Sequence, residues 1–164
     1  MFRDLKNYEV EARVARITTG NKQGVVLLLY KDARCDMKIL DEAGVKWQRR
    51  HEEHKGVIYC RVGIYDEDIN EWIWREDAGA ESYTEKEKGE ASDSFKRACT
   101  NWGIGRELYT APFIWVPAEK CNIRNGKCYD HFYVQTLKVE DGKIVGLVIV
   151  NFDKDNAVVY RNGV

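Results

Sequence analysis

Proline is nearly absent from this chain, two residues in 164, and both fall in the stretch from 112 to 117. No Pro-, Gly- or Ser-rich segment reads as a linker, and no low-complexity tract or internal repeat occurs. The expectation is one domain over 1–164, with a core over about 9–110 and β-hairpins over about 113–161. No apolar run approaches the roughly 20 residues that a membrane helix needs, and the opening Met-Phe-Arg-Asp-Leu-Lys-Asn carries no apolar signal segment. A cytoplasmic protein with no membrane partner is expected. Histidine is scarce: His51, His54 and His131 are the only three, and none shares a motif with a Ser or Cys nucleophile. The phosphate-binding loop Gly-x4-Gly-Lys-Ser/Thr is missing as well, since Gly20-Asn-Lys-Gln-Gly24 has neither its spacing nor its hydroxyl, so no nucleotide or other cofactor is expected.

An excess of either charge is also lacking. Lys and Arg number 26 against 27 Asp and Glu, a formal net charge of −1. That balance argues against binding a polyanion through overall charge, and leaves local segregation of cations as the way to do it. The acids do cluster, at Asp66 to Asp68, at Glu85 to Glu90, and at Asp153 and Asp155. The five cysteines, Cys35, Cys60, Cys99, Cys121 and Cys128, are an odd number and read as free thiols. Cys121, Cys128 and His131 could supply three metal ligands, but Cys-x6-Cys-x2-His is not the spacing of a zinc finger or ribbon. Asn125-Gly126 between the two cysteines signals a hairpin, which makes them strand neighbours across a turn. No metal is expected, and these three are the residues to check for one.

What is present is globular: 44% hydrophobic residues with 12% aromatics, in patterns that alternate between strand and helix periods. Strands are predicted at Glu9 to Ile17, half-buried, and at Val25 to Tyr30, better buried. Ala33, Met37 and Leu40 recur at helical spacing through Glu42, with Gly44 as the stop. From Trp47 the period returns to two. Ile58, Cys60, Val62 and Ile64 take one face, and Trp72 to Glu81 pairs back across the Asp66-Glu67-Asp68 turn. A longer helix over about 85–102 follows, with Ala91, Phe95, Ala98, Cys99 and Trp102 on one stripe, Thr84 and Glu87 as a capping box, and Gly103 at the C-terminal stop. Beyond it lie the Asn125-Gly126 hairpin, strands at 132–140 and 143–151 around Asp141-Gly142, and a last strand near Ala157 to Arg161. The fold class is α+β: an antiparallel sheet packed on one long and one short helix, a strand-strand-strand-helix core, and a C-terminal β-meander.

On the long helix the stripe leaves the adjacent Lys96-Arg97 pair pointing away from the core. Asp93 and Arg97, spaced i,i+4 with the acid first, also fit an ordinary surface pair. Asp93, Lys96, Arg97, Ala98, Trp102 and Gly103, together with Gly44 and Trp47, Arg61-Val62 and Glu76-Asp77-Ala78-Gly79, give the chain a spelling that resembles the Rad-fifty-two/Rad-twenty-two type of single-strand annealing protein, in particular its phage Sak-like group, over about residues 25–110. The resemblance implies that the helix lines a groove for single-stranded DNA. It also implies homo-oligomers, ring or filament, annealing without ATP hydrolysis, a phage or prophage source, and partners such as a single-strand binding protein or an exonuclease. The family's further basic residue one turn on is Thr100 here, with Arg106 just past the helix as its replacement.

The DNA-binding candidates are therefore Lys96, Arg97, Arg61, Arg106, Arg75 and Lys22; Arg61 and Arg75 lie near Tyr59 and Trp74, the mixture of cations and ring faces that suits single strands. Such a protein is not an enzyme. Two alternatives stay open on the residues alone: a metal-dependent nuclease using Glu76 and Asp77 with Glu81, Asp32 or Asp36, and a non-annealing repair adaptor on the same fold.

Overall fold

The computed structural model describes residues 2–80 and 86–164, the side chains of 86–88 excepted. Among them the chain runs β1 (Val10–Thr18), β2 (Gly24–Lys31), α1 (Ala33–Glu42), β3 (Trp47–His54), β4 (Val57–Asp66), β5 (Glu71–Ala78), α2 (Lys86–Asn101), β6 (Ile114–Pro117), β7 (Ile123–Arg124), β8 (Lys127–Cys128), β9 (Phe132–Glu140), β10 (Lys143–Asn151) and β11 (Ala157–Asn162). The fold is α+β with antiparallel sheets and two helices. Two compact units form, one from Met1–Arg3 and Asp32–Arg106, the other from Asp4–Lys31 and Glu107–Val164. The proposed Thr84–Glu87 capping box and the Glu81 end of the expected strand lie outside the described residues.

In the first unit β3, β4 and β5 form a meander. Lys55 (φ 52°) and Gly56 (φ 80°) close the β3–β4 hairpin in two residues, with the two positive φ angles that match strand twist. The Asp66 carboxylate accepts the Asp68 and Ile69 N–H groups at 3.0 and 3.4 Å and folds the next turn. α2 lays its stripe on β4 and β5: Phe95, Ala98 and Cys99 are buried, as are Cys60 and Val62 on the sheet face predicted for them. Both ends of the helix are tied to the sheet. The buried Glu90 Oε1 accepts the Ile58 N–H at 2.8 Å, and Trp102 Nε1 donates to the Val62 carbonyl at 2.9 Å. α1 starts at Asp32, whose carboxylate caps the Arg34 N–H at 2.6 Å, and stops at Gly44 (φ 67°).

In the second unit a six-stranded sheet has the order β11-β10-β9-β1-β2-β6, with β7–β8 as a separate hairpin. β1 and β2 thus join the C-terminal strands, whereas the sequence groups them in one core with β3–β5. β2 is better buried than β1, as expected, but not along its whole length. Val25, Val26 and Leu27 are buried, but Leu28 and Tyr30 are exposed. The reason is pairing: β6 flanks β2 only across Gly24–Leu27, and beyond that one edge of β2 is open.

Gly79 sets how closely α2 approaches the sheet. A Cβ there would run into the Glu90 carbonyl oxygen and sit 2.8 Å from the Glu90 Cγ. Gly79→Ala is predicted to lower the unfolding free energy by about 1–3 kcal/mol, as overpacking does. Urea denaturation checks this; a variant with the parent's midpoint would show that the helix can shift without cost.

Candidate nucleic-acid interface

Lys96 and Arg97 flank the buried stripe of α2 on opposite sides, because successive helical residues are about 100° apart. Asp93 lies between them, one turn back. Its Oδ2 accepts Arg97 Nε at 2.8 Å and the Ala80 N–H at 2.9 Å, and Lys96 acts on it through space. The expected i,i+4 ion pair is therefore formed. Lys96 also acts on Asp32 at the start of α1. The pair of cations is held by acids, and Arg97 stays 45% exposed along its side chain.

Arg61 stands on the sheet face away from α2, opposite Arg50. Its Nε donates to Glu76 Oε2 at 2.7 Å, with Glu52 at 3.9 Å. Arg50 lies over the Trp74 ring, 5.1 Å from its centroid, and Trp72 and Tyr65 continue the row of rings. Arg50, Arg61, Trp74 and Glu76 line a shallow depression of about 360 Å³. Gly63 leaves room for Trp74, since a Cβ there would be 2.8 Å from the indole. Arg50 is not one of the DNA-binding candidates named above. Its cross-strand register with Arg61 depends on the β3–β4 turn.

Arg75 and Arg106 meet at the C-terminus of α2. Arg106 donates from Nε and Nη2 to the Thr100 carbonyl at 3.3 and 3.1 Å and from Nη2 to the Asn101 carbonyl at 3.0 Å. Arg75 donates to the same Asn101 carbonyl while its guanidinium lies 4.6 Å from the centroid of Trp102. Helix-end carbonyls carry partial negative charge, so they orient these guanidiniums without cancelling their unit charges. No carboxylate among the described residues pairs with either. Thr100, the position where a further cation was expected, turns its hydroxyl back to the Lys96 carbonyl at 3.0 Å. Lys22 lies apart from these residues in the sequence, exposed in the β1–β2 turn of the second unit.

Among the described residues the metal-site candidates do not converge. Adjacent residues on a strand face opposite ways, so Glu76 turns to Arg61 while Asp77 accepts Asn101 Nδ2 at 3.3 Å and its own neighbour's N–H at 2.8 Å. Asp32 is committed to capping α1, and Glu81 lies outside the described residues. Cys121 lies before β7 and Cys128 pairs with Ile123, so the two are not the strand neighbours expected, although their thiols interact; the His131 ring bonds to Asp153 at 3.0 Å. Among the described residues no three His, Cys, Asp or Glu side chains are placed to share a metal ion. Burial, with the neighbouring Cys128 and Asp130 adding to it, pushes the Cys121 thiol up to about 11.

Partial burial would raise the Asp93 carboxyl, but the Ala80 N–H, Arg97 and Lys96 outweigh it and hold the group below its ordinary value of 3.8. A depressed folded pKa means that the stabilisation is complete above that ordinary value and is lost as pH falls through the folded one. Asp93→Asn should therefore flatten the acid limb of thermal stability while leaving its shape near neutrality. Superimposable acid limbs for parent and variant would show that the pair contributes nothing.

Comparison with curated proteins and with solved structures finds no match. A family model does match, that of the Rad52/22 family double-strand break repair protein, over residues 32–126. The match begins at the Asp32 cap of α1, spans the meander and α2 with its cations, and ends at the turn glycine of the β7–β8 hairpin. With more than half its length matched, the chain belongs to the Rad52/22 family of double-strand break repair proteins.

Proposed function

We propose that this family member is an ATP-independent single-stranded DNA-binding and strand-annealing recombination protein of the phage Sak-like group. It is not an enzyme, takes no cofactor, and works in the cytoplasm as a homo-oligomer, ring or filament, with residues 1–164 acting as one domain. A single-strand binding protein or an exonuclease is its natural partner, because one covers and the other produces the substrate.

The observation that supports this reading most is the placement of cations about α2. Lys96 and Arg97 flank its stripe, while Arg75 and Arg106 are oriented at its end by carbonyls instead of acids. That gathers four cations about one helix within a chain of net charge −1. Lys96, Arg97, Arg75 and Arg106 grip phosphates, Arg61 adds a contact from the sheet, and Lys22 makes a phosphate contact of its own. Backbone contacts are the right chemistry for annealing: they tolerate any sequence and leave base edges free to test a partner. An oligomer multiplies a weak site along one strand. Pairing then supplies its own free energy, about 1.4 kcal/mol per stacked step in a DNA duplex, so no hydrolysis is needed.

Two complementary oligonucleotides should anneal faster with the protein in a chelator and without nucleotide. Shortened substrate that appears only with a divalent metal would instead favour a nuclease. Lys96→Ala with Arg97→Ala should weaken single-strand binding for every sequence and flatten the dependence of log affinity on log salt by about 1.4, two phosphates at roughly 0.7 each. A salt slope equal to the parent's would remove these residues from the phosphate ligands.

A further inference from the structure

The second unit carries a feature that the α2 site does not use. Among the exposed aromatic residues Tyr8, Tyr30, Trp72, Tyr109, Phe113, Tyr129, Tyr133 and Phe152, every one except Trp72 belongs to this unit. They are not scattered evenly. β1 and β9 pair through only two residue positions, Glu11↔Tyr133 and Ala12↔Phe132, and the splayed junction leaves a depression of about 740 Å³ bordered by Tyr8, Tyr129 and Tyr133. Phe152 packs edge-on against Tyr133, 6.0 Å between centroids, and holds that ring upright. A second depression, of about 340 Å³, shares Tyr129 with the first and leads to the β7–β8 hairpin.

At that hairpin Arg124 and Lys127 are direct cross-strand partners on either side of Asn125 (φ 51°) and Gly126 (φ 69°). Like charges placed directly opposite each other repel, and no carboxylate among the described residues pairs with either. The acids nearby are spent on backbone N–H groups, on Asn122 and Asn151, and on His131. Asp130 accepts the Asn122 N–H, Asn122 Nδ2 and Asn151 Nδ2 at 2.8, 3.0 and 2.7 Å, and Asp153 accepts the His131 N–H and ring. Tyr129, 76% exposed, stands between the cation pair and the aromatic depression.

We infer that this trough is a second binding site for single-stranded nucleic acid, with a phosphate held between Arg124 and Lys127 and an adjoining base stacked on Tyr129. Asp130 and Asp153 line the same depression but form no ion pair with Arg124 or Lys127. Two cations with no ion-paired acid beside a row of open rings is the chemistry that grips a flexible strand by its backbone and by the π-faces of its bases. A duplex hides those faces, so the site selects unpaired strands. Stacking uses the flat of a base and leaves its pairing edge open, which makes the trough compatible with annealing. The ligand class is that of the proposed function, but none of its residues is shared with the α2 site.

The test uses the full chain, with labelled oligo(dT) and the equivalent abasic phosphodeoxyribose polymer as probes over a range of salt. Tyr129→Ala should weaken oligo(dT) binding about tenfold and leave the abasic polymer unaffected. Arg124→Ser with Lys127→Ser should weaken both probes and lower the salt slope by about 1.4. Parent-like binding by both variants, with binding lost in the Lys96/Arg97 variant, would overturn the trough and leave the proposed function standing. Loss in the trough variants with binding kept in the Lys96/Arg97 variant would support the trough and overturn the helix site. Equal affinity of the parent for both probes would overturn the stacking role, and no binding of either would overturn both readings.

Discussion

How near α2 can come to the end of β4 controls the first unit. A buried carboxyl is tolerated only when its hydrogen bonds are made, and Glu90 makes one to the Ile58 N–H while Gly79 donates to the Ile58 carbonyl at 2.9 Å. One residue of β4 thereby has both backbone groups satisfied, one by helix and one by chain. The missing side chain at Gly79 is what lets the helix backbone arrive at that distance. Once it has arrived, Asp93 reaches the Ala80 N–H, His51 lies 3.1 Å from the Ala91 carbonyl, and the far end docks through Trp102 and Asn101. The positions of Lys96, Arg97 and the C-terminal guanidiniums follow from this docking.

The charge balance has a corresponding spatial logic. Acids hold Arg61 and Arg97, which sets their geometry but takes away part of their field. Carbonyls hold Arg75 and Arg106, which sets geometry and takes away less of the field than an acid does. A protein of net charge −1 can therefore show a cationic surface without an excess of Lys and Arg.

Much of the architecture is written locally. α1 at Ala33–Glu42 follows from its spacing and Gly44, and β9 and β10 follow from Asp141-Gly142, both with positive φ. α2 falls within one residue of its predicted bounds because its stripe is regular. What could not be read were properties set by distant neighbours. The meeting of Arg50 with Arg61 depends on the pairing register of β3 with β4. The mixed exposure of β2 depends on where β6 ends. Arg106 reads as a free cation in sequence, yet it caps α2, because Gly103 and Gly105, both at positive φ, precede it in the turn off the helix. The exposed tyrosines of the second unit look like ordinary strand residues until β1 and β9 are seen to part after two positions.

The six-stranded sheet takes β1 and β2 from before residue 32 and its other strands from after residue 106, so the first unit is inserted in the chain of the second. During synthesis all of Asp32–Arg106 leaves the ribosome before any strand that completes that sheet. The inserted unit can mature early on short-range contacts, while the N-terminal hairpin waits with its β2 edge uncovered. Loop closure over that long interval makes sheet completion the slow step, and the interval in which aggregation is most dangerous.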